Sequence, residues 1–243
     1  MKLFVCIYDD ARLLPHFLRH YARFGVSEFH IAAPEYLVGA IHGYGDSYKI
    51  IVGSDLDVAD SFMGGVAAVT EMRRRAASEN EWIVIVDLDE FVEFPASVDE
   101  MSRRIEAEGA NIARGIMYDR FAESGQPTAF DEGSDLPTLY PVMARFTRDV
   151  MGGVDFKGVI LKGHLKSQGA HHIFEDEKIY SQILEISHYK WNDRSLERVR
   201  SAHQLLSTAE VKWAWQYKAI LDHYDTHGRF AWETFGGRLV GRG

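Results

Sequence analysis

The opening part of the chain, up to residue 91, alternates apolar strand-like runs with amphipathic helical segments, and this alternation most constrains the fold. Residues 82–86 are apolar at every position, which is typical of a strand covered on both faces of a sheet. In an earlier segment, Leu14, Phe17 and Tyr21 recur at helical spacing. Pro15 falls in the first turn of this helix, where its missing N–H is tolerated. Repeated β-α-β units with short links predict a parallel sheet with helices on both faces.

The same patterns predict the remaining elements, less regularly in the second half of the chain. Further strands are predicted at residues 3–8, 29–32, 48–52, 112–118, 142–147, 157–162 and 183–189. Helices are predicted at residues 13–24, 61–78, 98–108, 195–206 and 212–224. Residues 121–137 combine Gly, Pro, Ser, Asp and Glu without periodicity, so we expect a long surface loop there, of a kind that often carries function.

Charge and cysteine content exclude some classes of function. The 243-residue chain has 27 Lys and Arg against 36 Asp and Glu, and its formal charge of -9 does not favour coating nucleic acid or anionic lipid. The single cysteine, Cys6, permits no intrachain disulfide. No apolar run reaches the length of a transmembrane segment, and residues 3–7 are too short for the apolar core of a signal peptide. We therefore predict a cytoplasmic protein with no nucleic acid partner and no transmembrane segment.

Three acidic residues, Asp87, Asp89 and Glu90, follow directly on the apolar run 82–86. Ligands of open α/β sheets bind at the carboxyl ends of the strands, and carboxylates crowded there repel one another unless a cation or hydrogen bonds compensate. Mg²⁺ and Mn²⁺ prefer carboxylate oxygens and commonly share them with substrate phosphates. The pattern therefore favours a metal–diphosphate site. The alternative is a solvated acidic turn in which Glu90 caps a helix or lies at the surface.

Residues 82–91, Trp-Ile-Val-Ile-Val-Asp-Leu-Asp-Glu-Phe, resemble the signature strand of GT-A fold glycosyltransferases. The resemblance is greatest to the group similar to glycosyltransferase families 2 and 92. Residues 9–18 and the pair Gly25-Val26 resemble the opening helix and Gly-Val turn of that group. Asp9-Asp10 stands where the group usually has Asn-Glu. The resemblance covers residues 1–95 in the right order and spacing.

This resemblance implies a single GT-A-like α/β domain over residues 1–243, with a mostly parallel sheet flanked by helices. Residues 1–95 would form the nucleotide-sugar-binding half and 96–235 an irregular acceptor-side half. Residues 236–243 contain four glycines, which predict a flexible tail. The implied activity is inverting transfer of a sugar from a nucleotide-sugar donor to a glycan or another hydroxyl acceptor, dependent on Mn²⁺ or Mg²⁺. An oligomer is compatible with this interpretation.

The resemblance also implies roles for the metal-site residues. Asp89 would bridge the metal and the donor diphosphate, and Asp87 would contact the ribose or reach the metal through water. His172 and His188 match downstream histidines of the group, where a histidine often completes the metal shell. For His188 the alternative is a hydrogen-bonded core histidine, and for His172 it is a plain surface loop.

The remaining candidates are acidic or basic residues near the predicted donor and acceptor. Donor contacts are predicted for Asp9, Asp10, Asp57, Asp87 and Lys157. The general base of an inverting transfer is predicted to be Asp176, with its neighbour Glu175, because two adjacent acids raise each other's pKa towards neutrality. The alternative for this pair is an acidic surface loop, and Asp155 is the next candidate base.

Two other functions compete with glycosyl transfer. One is a non-catalytic module that binds a nucleotide or sugar on a degenerate GT-A fold. The other is a phosphatase with an aspartate nucleophile, because Asp87-Leu88-Asp89 also resembles the motif of haloacid-dehalogenase-type enzymes. That motif usually lies on the first strand and continues with Gly-Thr, whereas here Glu90-Phe91 follows.

Overall fold

The computed structural model describes residues 1–56, 62–165, 167–168, 172–173, 177–211 and 214–240. They belong to two compact units. Unit 1 comprises Met1–Ile116 and Phe156–Ile186, and unit 2 comprises Met117–Asp155 and Ser187–Gly243.

Strands and helices alternate along most of the chain. The strands are β1 Lys2–Cys6, β2 Glu28–Ala32, β3 Ile50–Gly53, β4 Trp82–Ile85, β5 Glu90–Glu93, β6 Ile112–Phe121, β7 Val142–Ala144, β8 Phe156–Lys162, β9 Ser167–Gln168, β10 His172–Ile173, β11 Leu184–His188 and β12 Arg238–Leu239. The α-helices are α1 Leu14–Arg23, α2 Glu35–His42, α3 Phe62–Ala76, α4 Val98–Ala107, α5 Leu136–Leu139, α6 Phe146–Asp149, α7 Ser195–Thr208 and α8 Ala214–His227. A 3₁₀ helix spans Trp232–Phe235.

The sheet of unit 1 has a parallel centre with an antiparallel extension. Strands β4, β1, β2 and β3 lie side by side in that order and are all parallel. Strand β8 then pairs antiparallel with β4 and with the first part of β6. Helix α3 packs against β1 and β2, and helix α2 packs against β3. The prediction of an α/β fold with a mostly parallel sheet flanked by helices is therefore confirmed.

The parallel direction of the strands brings their carboxyl ends to one edge of unit 1. Residues 7–10 follow β1, residues 33–34 follow β2, residues 54–56 follow β3 and residues 86–89 follow β4. Strands β1, β2 and β4 are largely buried, with Leu3, Phe4 and Val84 fully inaccessible to solvent, whereas Ile51 of β3 is 40% exposed. The polar side chains of this half of the sheet therefore lie mainly on the residues that follow the strands.

Helix α1 matches the sequence pattern closely. Leu14, Phe17 and Tyr21 are fully buried, and proline lies in the first turn as predicted. Gly25 follows the helix with a φ of +91°, a left-handed conformation that favours glycine and ends the helix.

Several elements differ from the sequence prediction. The predicted strand 142–147 is the short β7 followed by helix α6, and the predicted loop 121–137 ends in the single turn of α5. Helix α2 and strand β5 were not predicted. Each of these elements is only three to eight residues long, which is too short for a hydrophobic pattern to predict a helix or a strand.

The predicted flexible tail is partly ordered. Arg238–Leu239 forms β12, which pairs antiparallel with Val142 and Met143 of β7. Gly236 has a φ of +68° after the 3₁₀ helix, and the N–H of Gly237 donates to the carbonyl of Trp232 at 2.9 Å. These glycines therefore turn the chain back towards β7, although their number predicts a flexible tail.

Unit 2 has its own aromatic core. Phe121, Phe146, Trp191 and Phe230 are almost fully buried. Trp191 lies 4.9 Å from Phe146 and 4.9 Å from Phe230 between ring centroids, within the range of favourable aromatic packing. Within the ranges described above, no helix combines the length and apolar composition that crossing a membrane requires.

The turn after β8 yields a test of the fold. A Cβ atom at Gly163 would lie 2.1 Å from the carbonyl oxygen of Ser78, which is backbone and cannot swing away. We expect Gly163→Ala to lower the free energy of unfolding by about 1–3 kcal/mol. Gly39→Ala in helix α2, where a Cβ meets nothing within 4 Å, should instead raise it by up to about 1 kcal/mol. Urea unfolding measures both, and equal stabilities of the two variants would contradict the packing at Gly163.

Candidate functional site

The predicted acidic cluster forms a closed turn between β4 and β5 in unit 1. The N–H of Glu90 donates to the carbonyl of Asp87 at 3.1 Å, and the N–H of Asp87 donates to Oε2 of Glu90 at 2.7 Å. Glu90 is the first residue of β5 and is only 1% exposed. The turn is therefore held by a buried carboxylate, and Glu90 is neither a helix cap nor a surface residue.

Lys157 of strand β8 supplies the positive charge for this turn. Its ammonium donates to Oδ2 of Asp87 at 2.7 Å and to Oε2 of Glu90 at 2.5 Å. Burial disfavours the charged ammonium, but the two carboxylates outweigh that effect and raise the pKa of Lys157 above its ordinary value. Lys157 is therefore a permanent internal cation between two carboxylates.

The sequence analysis assigned Lys157 to the donor, and the structure gives it a different immediate environment. Lys157 is 2% exposed and its ammonium binds Asp87 and Glu90, so its direct partners are protein carboxylates. Asp87 is the more accessible of these, with 43% of its side chain exposed.

Tyr8, which sequence analysis did not select, lies in the electrostatic field of the same carboxylates. Burial, and after it the negative charge of Asp87, raise the pKa of Tyr8, with smaller contributions from Cys6 and Asp89. Its ring fits against Gly65 of α3, where a Cβ atom would approach the Tyr8 hydroxyl oxygen to 2.3 Å. The signal available in the sequence was an aromatic residue at the end of an apolar strand, directly before two acids.

Asp9 and Asp10 follow β1 at the same edge and differ in their surroundings. Asp9 is exposed. Asp10 accepts hydrogen bonds from the backbone N–H of Arg12 at 3.0 Å and from its guanidinium Nε at 2.9 Å. Asp10 thus stabilises the turn that leads into α1 and has a cation of its own beside it.

The structure brings together some of the predicted metal ligands. Asp87 and Asp89 lie in one turn, and both influence Tyr8. In the part of the chain that the structure describes, no three or more His, Cys, Asp or Glu side chains are grouped so that they could hold a metal ion. The two carboxylates are hard oxygen donors of the type that Mg²⁺ and Mn²⁺ accept, and such ions usually take their remaining ligands from phosphates and water.

His188, also predicted as a metal ligand, lies at the end of β11 in unit 2. Its Nδ1 is 3.0 Å from Oδ1 of Asp119, which is completely buried. Burial alone would raise the pKa of Asp119, but hydrogen bonds from His188, Thr147 and Trp191 hold it below its ordinary value. Asp119 is therefore a buried, ionised carboxylate, and nothing in the sequence pattern marked it.

Asp155, the second candidate base, belongs to a different interaction in unit 2. It is 4% exposed, and its Oδ2 accepts a hydrogen bond from Nε of Arg145 at 2.7 Å. The four other candidates, Asp57, Glu175, Asp176 and the side chain of His172, lie outside the described residues.

Comparisons with known proteins show only distant similarity. No family model and no curated protein matches the chain. Among solved structures, a 4-diphosphocytidyl-2C-methyl-D-erythritol synthase is 15% identical, with 67% of this chain and 75% of that chain covered and a TM-score of 0.34. The synthase of the same name from Anaerococcus prevotii DSM 20548 is 11% identical, with 76% and 86% covered and a TM-score of 0.41. HddC from Yersinia pseudotuberculosis is 8% identical, with 81% and 96% covered and a TM-score of 0.41. Similarity at this level does not identify the activity of this chain.

The buried charges of the turn make a stability prediction. Lys157→Met should lower the free energy of unfolding by about 3–5 kcal/mol, because it leaves the carboxylate of Glu90 buried without its cation. The double variant Lys157→Met/Glu90→Gln should recover part of this loss, since no uncompensated charge then remains at that position. Urea unfolding at neutral pH measures both.

Lys162→Met on the same strand is the matched control. Lys162 pairs with Glu106, whose side chain is 64% exposed, and its ammonium lies 4.4 Å from the centroid of the Trp82 ring, so its removal should cost about 1–2 kcal/mol. If Lys157→Met is no more destabilising than Lys162→Met, the ion pairs of Lys157 do not stabilise the turn.

Proposed function

We propose that this protein is a metal-dependent glycosyltransferase that moves a sugar from a nucleotide-sugar donor to a glycan or another hydroxyl acceptor. The observation that carries the proposal is the position of Asp87 and Asp89 at the carboxyl end of a buried parallel strand, with Asp87 held by Lys157. Ligands of open α/β sheets bind at this edge, and a site built on rigid strands positions its carboxylates with little freedom.

The charge of the turn favours a divalent cation. The ammonium of Lys157 lies between Asp87 and Glu90, and Asp89 adds a third carboxylate to the same turn. A nucleotide diphosphate would bring further negative charge to the same edge. Attraction between the acidic turn and the diphosphate therefore requires a cation between them, and Mg²⁺ and Mn²⁺ commonly have this role.

Each residue of the turn has a proposed role. Asp89 would hold the metal beside the donor diphosphate, and Asp87 would contact the ribose or a water molecule bound to the metal. When bound, the ion would supply Lewis acidity that stabilises the departing diphosphate. Lys157 and Glu90 would keep the carboxylate of Asp87 in one position. Asp9, Asp10 and Asp57 are the further candidates for donor contacts.

The acceptor side of the proposal depends on the second half of the chain. Inverting transfer needs a group that takes the proton of the acceptor hydroxyl as the diphosphate leaves. Asp176, with Glu175 beside it, remains our candidate for this base. His172 remains a candidate to complete the metal shell, whereas His188 contacts Asp119 within unit 2.

A second candidate function is nucleotide or sugar binding without catalysis. The observation that favours it is that the ammonium of Lys157 already occupies one side of Asp87, so the turn is partly neutralised without any added ion. A binding module of this kind would bind its nucleotide equally well with and without Mn²⁺.

The test is a thermal-shift screen of nucleotide sugars with and without Mn²⁺. A bound ligand at a hundredfold excess over its Kd stabilises the fold by about 2.7 kcal/mol through mass action. We expect at least one nucleotide sugar to raise the Tm of the wild-type protein only with Mn²⁺, and Asp89→Asn to abolish that increase. Asp89 is half-buried in a turn outside the core, so the variant itself should fold.

Asp222→Asn is the control, because it makes the same change on helix α8, at a side chain that is 61% exposed. It should retain the full Mn²⁺-dependent increase in Tm. If Asp89→Asn shows the same Mn²⁺-dependent increase in Tm as the wild-type protein, the proposed metal role of Asp89 is contradicted. Equal shifts with and without Mn²⁺ in the wild-type protein would favour the binding module.

A further inference from the structure

Arg120 of strand β6 is a buried cation in unit 2. The residue is only 6% exposed, and it lies opposite Met143 of β7, which is 2% exposed. Its guanidinium has therefore lost most of its hydration. A buried charge is stable only where other groups compensate for that loss, and arginine is almost never buried without a partner.

Two contacts hold the guanidinium of Arg120 in place. Its Nε–H donates to the carbonyl oxygen of Tyr140 at 3.0 Å, and its Cζ lies 5.8 Å from the centroid of the Tyr189 ring. Tyr140 is 2% exposed and Tyr189 is 5% exposed, and their ring centroids are 5.9 Å apart. A carbonyl group and an aromatic ring are both neutral, so these contacts orient the guanidinium without balancing its charge.

The buried carboxylates that the structure describes in unit 2 have other partners. Asp119 accepts a hydrogen bond from the backbone N–H of Thr147 at 2.7 Å. Asp119 also precedes Arg120 directly in β6, and successive side chains of a strand point to opposite faces of the sheet. Asp155 accepts a hydrogen bond from Nε of Arg145 at 2.7 Å. Among the described residues, no carboxylate forms an ion pair with Arg120.

The outer edge of the Arg120 guanidinium keeps its hydrogen-bonding capacity. Arginine carries its N–H donors in one plane, and Nε uses one of them here. Within the described ranges of the chain, the donors on Nη1 and Nη2 meet no protein acceptor, and both nitrogens retain contact with solvent. Because Nε is occupied, a ligand must approach end-on, along the edge formed by Nη1 and Nη2. Parallel N–H groups at such an edge match the oxygens of a carboxylate or a phosphate.

We propose that Arg120 is the anchor of an oxyanion-binding site in unit 2, which takes a carboxylate or a phosphate group through Nη1 and Nη2. The contacts with Tyr140 and Tyr189 orient the guanidinium in advance, so little conformational freedom is lost when the anion binds. The bound anion supplies the negative charge that balances Arg120. This inference goes beyond the proposed function, because it concerns unit 2 alone and needs neither a nucleotide sugar nor Mn²⁺.

The first experiment follows the Nε–H signals of the arginine side chains by ¹H–¹⁵N NMR in the full-length protein. Sodium phosphate or sodium acetate is added at constant ionic strength, with sodium chloride as the balancing salt. The Arg120 signal is identified by its loss in Arg120→Lys, and the signal of the exposed Arg148 by its loss in Arg148→Lys. We expect a saturable shift at Arg120 and only a small linear shift at Arg148.

The two salts distinguish the two sources of the oxyanion. The salt that saturates the Arg120 signal at the lower concentration identifies the preferred group as a phosphate or a carboxylate. A shift at Arg120 that is no larger than the shift at Arg148 with both salts would overturn the proposal.

The second experiment compares Arg120→Lys with Arg148→Lys by thermal unfolding in the same series of phosphate and acetate. Both variants keep the positive charge, but only the first removes the planar set of donors from the buried position. We expect Arg120→Lys to bind the preferred anion about tenfold or more weakly than the wild-type protein does, because a charge-assisted hydrogen bond is lost. Arg148→Lys should respond to the salt as the wild-type protein does.

Far-ultraviolet circular dichroism first establishes that both variants are folded. Arg120→Met, which fills a similar space without a charge, replaces Arg120→Lys if the lysine variant does not fold. Equal increases in Tm with added salt in the wild-type protein and in the variants at both positions would show that Arg120 has only a structural role, and would overturn the proposal.

Discussion

The ion pairs of Lys157 are the interaction on which the candidate site depends. One buried ammonium contacts Asp87 at 2.7 Å and Glu90 at 2.5 Å, and Glu90 also accepts the backbone N–H of Asp87. Removing Lys157 would leave the buried carboxylate of Glu90 without its cation, which costs several kcal/mol. The turn after β4 is therefore stiff, and its exposed carboxylate is presented in one orientation.

The direction of the strands explains why this turn is a candidate site and not merely a stable loop. Because β1, β2, β3 and β4 are parallel, every connection after these strands leaves from the same edge. Tyr8 from the first connection shares the electrostatic field of Asp87 and Asp89 from the last. Strands β1, β2 and β4 are almost entirely buried, so their carboxyl ends are where unit 1 can combine rigid support with polar groups.

The cluster around Asp119 in unit 2 also contains a buried carboxylate whose charge is compensated, but by a different type of group. A buried carboxylate stays ionised because it accepts hydrogen bonds from Thr147, His188 and Trp191. In unit 1 the compensating group is the charged ammonium of Lys157, which fixes the carboxylates of Asp87 and Glu90. In unit 2 the compensating groups are hydrogen-bonding side chains and a backbone N–H, which fix the carboxylate of Asp119 in the core.

The sequence by itself determined the elements that have long periodic patterns and the edge at which the acids lie. Strands β1, β2 and β4 and helices α1, α3 and α4 follow their apolar patterns to within about two residues, because their burial is decided by local spacing. The same spacing placed Asp87 and Asp89 after a buried strand.

Only the tertiary structure decided which distant residues are in contact: Lys157 is 70 positions from Asp87, and His188 is 69 positions from Asp119. It also showed Glu90 to be buried and Arg238–Leu239 to pair with β7. Such contacts depend on strand order and register, and a periodic pattern within one segment carries no information about which distant segment will lie beside it.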